Sequence, residues 1–240
     1  MFTHLNVHSH YSRMSGTASQ LTLLTAARNQ SMRHLALTET NGLWGFIRFV
    51  QHARAADINP IAGVNLITNQ GEAVLLAENQ SGYENICRAV SAVHKNPAQS
   101  VVEILENRTS GIFVLAHETS TLSALSQMIP NSHLFVELRP GVTEHGAQKL
   151  SREFKLETVA TGDVYFIQKE DWSAHRILRA IDLNTTLSTL PADACKSDKH
   201  WFRDEKDIIK LFPNSLDAIN NSTYLAERCK KDWTFVNTIF

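Results

Sequence analysis

The sequence predicts an α/β protein, and three observations indicate this class. Hydrophobic patterns typical of strands and of helices alternate over roughly the first 170 residues. The chain has 240 residues and is 43% hydrophobic, which is enough for one substantial core. No internal repeat, low-complexity run or long linker divides it. Such alternation indicates parallel strands joined by crossover helices, in either an open doubly wound sheet or a closed barrel.

Each predicted strand is a short apolar run, and runs with helical spacing separate most of the strands. The first predicted helix, 20–29, follows Ser19, a residue type that caps helix N-termini. A second helix begins near Phe46, and its stripe with Ile47 and Val50 is assigned to the core. Asn59-Pro60 then interrupts the chain before the third strand. The predicted strands are 5–7, 34–38, 61–68, 73–77, 112–116, 134–138 and 158–161, and the later helices are 83–94, 122–128 and 144–154.

Beyond residue 171 the strand pattern ends. Helical patterns near 171–181, 205–211 and 216–229 are joined by a polar loop that contains Pro191. We therefore predict a single domain, 1–240, with a barrel body at about 1–170 and a helical tail at about 171–240.

Composition excludes several classes of protein. The 23 basic and 24 acidic side chains create no overall positive field for nucleic acid. Three cysteines, far apart in sequence, fit neither a disulfide framework nor a zinc-binding C-x-x-C motif. No stretch approaches the roughly 20 apolar residues of a membrane span, and residues 1–10 lack the core of a signal peptide. We expect a protein of the cytoplasm without membrane contacts.

The candidate functional residues lie where predicted strands end. His8 and His10 are two positions apart, so on an extended chain both imidazoles would point toward one metal ion. At the carboxyl ends of parallel strands, side chains from distant positions converge on one pocket. Nitrogen and oxygen donors there would suit zinc, manganese or iron and would activate water for phosphoester hydrolysis. The candidate ligands are His8, His10, His117, Asp163 and Glu39, and the other polar residues at strand ends are Thr40, Asn65, Glu137, Arg139 and Tyr165.

Each candidate also has a structural interpretation. With eleven histidines in the chain, the pair His8 and His10 can arise by chance. His117 would then be a hydrogen-bonded, half-buried side chain, Glu39 a cap or ion-pair partner, and Asp163 a turn residue. Seven further histidines, which lack a partner spacing, are assigned structural roles: His34, His52, His94, His133, His145, His175 and His200. The sequence has no G-x-S-x-G, P-loop or G-x-G-x-x-G motif, which excludes those enzyme and nucleotide-binding classes.

These motifs resemble the PHP (polymerase and histidinol phosphatase) family. Residues 8–12 with Gly16 resemble its first motif, residues 36–45 its second, and residues 60–66 the segment that follows. Other stretches are similar to the N-terminal PHP domains of bacterial DNA polymerase III alpha subunits more than to histidinol phosphatases. They are 76–87, 136–140, 160–166, 179–181, 184–187, 211–213 and 225–229.

The resemblance implies a distorted (β/α)7 PHP-type barrel of about seven βα units with a C-terminal helical extension. In members with an intact site, the barrel mouth binds metal ions and supports phosphoesterase or proofreading 3′–5′ exonuclease chemistry. His8, His10 and Asp163 stand at positions that match metal ligands of the family. We expect His117 to match one as well. Arg139 is a candidate phosphate contact.

Several ligand positions depart from the family pattern. Fewer charged and imidazole ligands mean lower metal affinity, so we expect either no metal or a single weakly bound zinc, manganese or iron ion. The departures are Ser15 for Asp, Glu39-Thr40 for Asp-His, Asn65 for Glu, and Glu72 and Tyr165 for His.

The resemblance favours a degenerate PHP domain with a structural or subunit-binding role in DNA replication or repair. A metal-dependent phosphoesterase or 3′–5′ exonuclease is the alternative, and a stand-alone protein with an unrelated binding role is a third hypothesis. The implied partners are other domains of a parent polymerase and replication subunits, with DNA bound only through the parent. The family's DNA-directed polymerase chemistry would lie beyond this sequence. Because the chain ends at residues 238–240, just after the last predicted helix, we expect an excised domain or a truncated relative.

Overall fold

A curled sheet of six strands, hydrogen-bonded in chain order, forms the centre of the computed structural model, which describes residues 2–234. This architecture confirms the α/β class, whereas the count of seven βα units stays a prediction. Residues 238–240 lie outside the described part. The strands are β1 (His34–Leu37), β2 (Asn59–Thr68), β3 (Gly71–Ala77), β4 (Ile112–Ala116), β5 (Leu134–Leu138) and β6 (Thr158–Ala160).

One strand departs from the expected parallel arrangement. The pairs β1–β2, β4–β5 and β5–β6 are parallel, but β3 runs antiparallel to both β2 and β4. Only two residues separate Thr68 from Gly71, so the chain must reverse in a hairpin because a crossover helix does not fit. Gly71 has a φ of +123°, which glycine adopts without the steric cost of a Cβ.

The N-terminal segment, residues 4–8, joins the two edges of the sheet. On one side, Ala36 N donates to His4 O (3.1 Å) and Thr38 N donates to Val7 O (2.9 Å). On the other side, Val164 N donates to the carbonyl of residue 6 (2.9 Å), and the N–H of residue 8 donates to Val164 O (2.8 Å). The strand predicted at 5–7 is therefore an extended segment with a single bridge at Val7. Through it, the curled sheet closes on itself.

Alternating side chains divide the interior into two apolar regions, as the two-residue period of a strand requires. One set of strand side chains packs against the surrounding helices. The other set points inward and meets the last helix at one end of the sheet. The inward set consists of Leu5, Ala36, Ile61, Val74, Leu76, Phe113, Leu115, Phe135 and Val159, with Leu225, Ala226 and Cys229 from the last helix.

The helices match the predicted pattern closely. Ser19 caps the first helix by accepting from Thr22 N (3.1 Å), as predicted. Ile47 was assigned to the core wrongly: its side chain is 53% exposed, because it lies on the outer face of its helix. The short helix α4 was not predicted. The helices are α1 (Gln20–Asn29), α2 (Phe46–Ala55), α3 (Gln80–Lys95), α4 (Val101–Leu105), α5 (Thr119–Leu125), α6 (Glu144–Phe154), α7 (Trp172–Asp182), α8 (Glu205–Leu211) and α9 (Leu216–Arg228).

The tail, from α7 onward, contacts the sheet at both ends. Helix α9 packs along β6, where Asn221 Nδ2 donates to Thr158 O (2.8 Å). The loop between α7 and α8 instead reaches the opposite end, where β5 and β6 terminate. Within residues 2–234, no helix is both long and apolar enough to cross a membrane.

Candidate functional site

The inward-facing row of side chains changes from apolar to polar at the end of the sheet opposite α9. On β5, Phe135 is followed at two-residue intervals by Glu137 and Arg139. The same step leads from Leu115 to His117 on β4, while the antiparallel β3 has Glu72 two residues before Val74. These positions bring distant polar residues together. After β6, the row from Val159 continues through Thr161 to Asp163.

Arg139 lies at the centre of this cluster. Its guanidinium donates to both carboxylate oxygens of Glu72, at 2.7 and 3.0 Å, in a bidentate pair. It also lies 3.4 Å from Asp163 Oδ2 and 3.8 Å from Glu137 Oε2. Burial would raise the pKa of Glu72, but Arg139 lowers it to about 2. The Glu72 carboxylate is therefore charged at neutral pH.

The same guanidinium determines the state of His117. Arginine can only donate, so His117 Nε2, 3.1 Å from Arg139 Nη2, is the acceptor. The ring proton must then be on Nδ1, which is buried and has no hydrogen-bond partner among the described residues. Glu137 Oε2 lies 3.8 Å from that Nδ1. Burial, and then the charge of Arg139, lower the pKa of His117, so the ring is neutral.

Asp163 is fully buried and is surrounded by donors. Lys196 Nζ lies 3.0 Å from its Oδ2, and Asn6 Nδ2 lies 3.3 Å from Oδ1. His200 Nδ1 donates to the backbone carbonyl of Asp163 (3.0 Å) and lies 3.2 Å from Oδ2. Burial would raise the pKa of Asp163, but Lys196 and then Arg139 hold it well below its usual value.

Glu137 is the third carboxyl group of the cluster. It is buried and accepts from Thr161 Oγ1 (2.7 Å) and Asn6 Nδ2 (3.1 Å). Burial raises its pKa despite the opposing charge of Arg139. Glu137 thus differs from Glu72 and Asp163, whose pKa values are lowered.

His8 is buried beside this cluster, and its ring stacks on Tyr165 with centroids 4.0 Å apart. Its Nδ1 lies 3.0 Å from Ser12 Oγ, whose own proton is directed to Glu39 Oε2. His8 Nδ1 also lies 3.3 Å from Thr40 Oγ1. No hydrogen-bond partner for Nε2 occurs within residues 2–234, and Asp163 Oδ1 is 3.8 Å away. Burial lowers the pKa of His8 to about 3, so the ring is neutral.

Glu39 occupies a separate buried pocket, where no basic side chain among residues 2–234 lies at hydrogen-bond distance from it. Its carboxyl oxygens accept from Ser9 N (3.1 Å), from Ser9 Oγ and from Ser12 Oγ (2.5 Å). Burial raises the pKa of Glu39, and the hydroxyl hydrogen bonds oppose that rise only in part. Glu39 is thus held by hydroxyl groups and a backbone N–H.

His10 does not follow His8 into the interior. The chain turns after residue 8, and Ser12 N donates to Ser9 O (2.9 Å), so the extended geometry that would align the two imidazoles is lost. His10 is exposed, with Nδ1 3.3 Å from Ala18 O and its ring 4.5 Å from that of Tyr11. Of the five candidate ligands, the structure groups His8, His117 and Asp163, with Glu39 nearby through Ser12.

A family profile for the PHP domain matches residues 4–158. The chain belongs to the PHP domain family. This chain is 29% identical to the curated DNA polymerase III alpha subunits of Pasteurella multocida and Bacillus subtilis. It is 27% identical to that of Escherichia coli K12. The matches cover 95–96% of this chain and lie in the N-terminal region of the relatives. The chain spans only 22–23% of the length of these relatives.

Two solved structures are also similar to this PHP domain. One is a predicted metal-dependent phosphoesterase from Bifidobacterium adolescentis, with a TM-score of 0.47 over 67% of this chain and 86% of the other. The second is an amidohydrolase from Chromobacterium violaceum with bound sulfate and no metal, with a TM-score of 0.49 over 69% and 88%. Both are 10% identical to this chain.

Three members of the cluster were not among the predicted site residues. Glu72 was noted only as a departure from the family pattern, and the antiparallel direction of β3 explains why it lies at this end. Lys196 and His200 belong to the tail, where no spacing in the sequence connects them to a strand end. The inward row of β5 could have identified Glu137 as a partner of Arg139.

The polar cluster of this PHP domain is arranged around the guanidinium of Arg139. Among residues 2–234, no group of three or more His, Cys, Asp or Glu side chains is arranged to hold a metal ion. Metal binding requires an unprotonated ring nitrogen, but His117 Nε2 already accepts from Arg139 and Nδ1 bears the proton. The positive charges of Arg139 and Lys196 would also repel a metal ion beside Asp163.

Proposed function

We propose that this chain is the PHP domain of a DNA polymerase III alpha-like protein. We also propose that its strand-end site is degenerate and stabilises the fold instead of supporting metal-dependent catalysis. The observation that carries the proposal is Arg139 inserted among the carboxyl groups of Glu72, Glu137 and Asp163. In this arrangement a fixed guanidinium supplies the positive charge that buried carboxylates require.

The proposed role is to pack against other domains of the parent polymerase and to contact replication subunits. Two findings support it: the chain matches the relatives over 95% or more of its own length, and it accounts for less than a quarter of theirs. Polymerization would belong to the remainder of the parent, and DNA would be bound through the parent. Arg139 is already hydrogen-bonded to Glu72 and His117. To contact a phosphate, it would have to break these hydrogen bonds.

A metal-dependent phosphoesterase or 3′–5′ exonuclease is the second candidate. It is favoured by His8 Nε2, a buried ring nitrogen that lies 3.8 Å from Asp163 Oδ1 and has no hydrogen-bond partner among residues 2–234. This nitrogen and a carboxylate oxygen would provide two ligands for a single divalent ion such as zinc, manganese or iron.

Metal content distinguishes the two functions. Protein purified without chelator or affinity-tag metal would be measured by mass spectrometry, as wild type and as the double variant His8→Ala, His10→Ala. We expect no metal above background in either protein, and no hydrolysis of phosphoesters or of DNA 3′ ends.

Near-stoichiometric metal that the double variant loses, together with chelator-sensitive hydrolysis, would establish the enzyme instead. The single variant His10→Ala is the matched control, because His10 is exposed and lies outside the cluster. A loss of metal confined to variants lacking His8 would identify the buried imidazole as the ligand.

A further inference from the structure

Lys196 places a positive charge of the tail at the end of the barrel where β5 and β6 terminate. It lies in the loop between α7 and α8, and its Nζ is 3.0 Å from Asp163 Oδ2. The Lys196 side chain is 24% exposed, whereas that of Asp163 is completely buried. Burial opposes the charge of Lys196, but Asp163 raises its pKa, so the group is an ammonium ion. Solvent can reach this pair only from the lysine side.

The backbone of Lys196 is fixed at two points. Its N–H donates to His175 Nε2 (3.0 Å), and its carbonyl accepts from Trp172 Nε1 (2.9 Å). Since His175 Nε2 accepts, Nδ1 bears the proton and donates to Ser15 O (2.7 Å). Lys196 is thus held by α7 and, through His175, by the N-terminal loop. These contacts fix the backbone from which the ammonium reaches Asp163.

An aromatic ring faces the same ammonium. Lys196 Nζ lies 5.0 Å from the centroid of the Tyr165 ring, within the range of a cation–π contact. The ring of His8 is stacked on the same Tyr165 ring. A carboxylate and an aromatic face together are the two groups that commonly bind a small cation in proteins.

We propose that the Lys196 ammonium is an internal cation that occupies and closes a cation site formed by Asp163, Tyr165 and His8. The fixed lysine excludes a free cation and anchors the tail to the barrel. This inference rests on the proposed function, since it explains how the site remains closed without a metal ion. Removal of the side chain beyond Cβ should leave a vacant position for a small cation.

Chemical rescue tests this inference. Lys196→Ala removes the equivalent of a propylammonium ion, so the probe is propylammonium chloride, compared with sodium chloride at equal ionic strength and with propan-1-ol. We expect the variant to melt about 5 °C or more below wild type. Propylammonium should recover a substantial part of this loss, whereas sodium chloride and propan-1-ol should not. A second arm adds zinc or manganese alone and measures bound metal and melting temperature.

Two further variants provide controls. In Lys196→Met the new side chain is uncharged but occupies the space of the lysine chain. Propylammonium should therefore not restore the melting temperature of this variant. Lys169→Met removes an exposed lysine that pairs with Asp198 of the tail at 3.1 Å, and we expect its melting temperature to remain near that of wild type. If Lys196→Ala does not fold, the refolding yield in propylammonium chloride against sodium chloride gives the same readout.

The outcomes separate the two proposals. Rescue of Lys196→Ala by propylammonium, or uptake of a divalent ion by this variant alone, supports the internal cation. A metal-free wild type with a Lys196→Ala variant that melts normally and binds neither cation overturns this inference but leaves the proposed function intact. Near-stoichiometric metal in the wild type overturns the proposed function itself.

Discussion

Two buried acidic regions lie at the same end of this barrel, and they are stabilised in different ways. The Glu39 pocket contains one carboxyl group that is bonded to Ser9 and Ser12, and burial raises its pKa. The Arg139 cluster contains Glu72 and Asp163, whose pKa values are lowered by basic side chains despite burial. The comparison shows that a buried carboxyl group can be accommodated either by hydroxyl and backbone N–H donors or by a fixed counter-charge.

The largest expected effect comes from removing the central charge. Arg139→Met leaves Glu72 and Asp163 with less compensation, and breaking a buried ion pair in this way typically costs about 3–5 kcal/mol. Urea unfolding followed by circular dichroism would measure this loss. Arg88→Met is the control, because the Arg88–Glu84 pair is exposed and should contribute less than about 1 kcal/mol. Equal losses in both variants would contradict the distinction between the buried cluster and a surface pair.

Neutralising one acid in each region sharpens the comparison. Glu72→Gln removes the charge that Arg139 binds, and the pKa of about 2 corresponds to a loss of roughly 3 kcal/mol at pH 7. Glu39→Gln should cost about 1 kcal/mol or less, because no basic group within hydrogen-bond distance loses its partner. The two free energies of unfolding, measured in urea at pH 7, give the test. A greater loss for Glu39→Gln would contradict the larger contribution expected of the ion-paired carboxylate.

The same two variants should respond to pH with opposite signs. The Glu72 pKa is lowered in the folded state, so its contribution is present above the ordinary value of 4.5 and is lost as the pH falls toward 2. The Glu39 pKa is raised, so its contribution is present below 4.5 and is lost as the pH rises through the folded value. Raising the pH from about 4 to 7 should therefore increase the deficit of Glu72→Gln and improve Glu39→Gln relative to wild type. Parallel trends in urea midpoints would refute the opposite directions of the two pKa shifts.

The smallest expected effect is that of His10→Ala. His10 is exposed and contacts neither region at hydrogen-bond distance, so the free energy of unfolding should change by no more than about 0.5 kcal/mol. Asn6→Ala is the informative counterpart, since Asn6 Nδ2 lies 3.1 Å from Glu137 and 3.3 Å from Asp163. Thermal unfolding of the two variants would show whether the interior cluster, and not the outer loop, supports this end of the barrel.

Local patterns were sufficient to predict most of the elements. The bounds predicted for β4, β5, α1, α6 and α8 are those of the structure, because each is a short periodic run flanked by polar or turn residues. The two-residue period of β5 also placed Glu137 and Arg139 on one face. The same reasoning failed for His10, because a turn interrupts the period just after His8.

By itself, the sequence determined the α/β class, the resemblance to PHP domains and the loss of several expected ligands. Only the tertiary structure decided what occupies their place. Glu72 reaches the site because β3 is antiparallel, so the beginning of that strand lies beside the ends of the others. Lys196 reaches it through a fold-back of the tail onto Asp163, a contact across 33 positions of the chain. Strand periodicity describes only neighbours along one element, whereas the balance of buried charge depends on which elements meet in space.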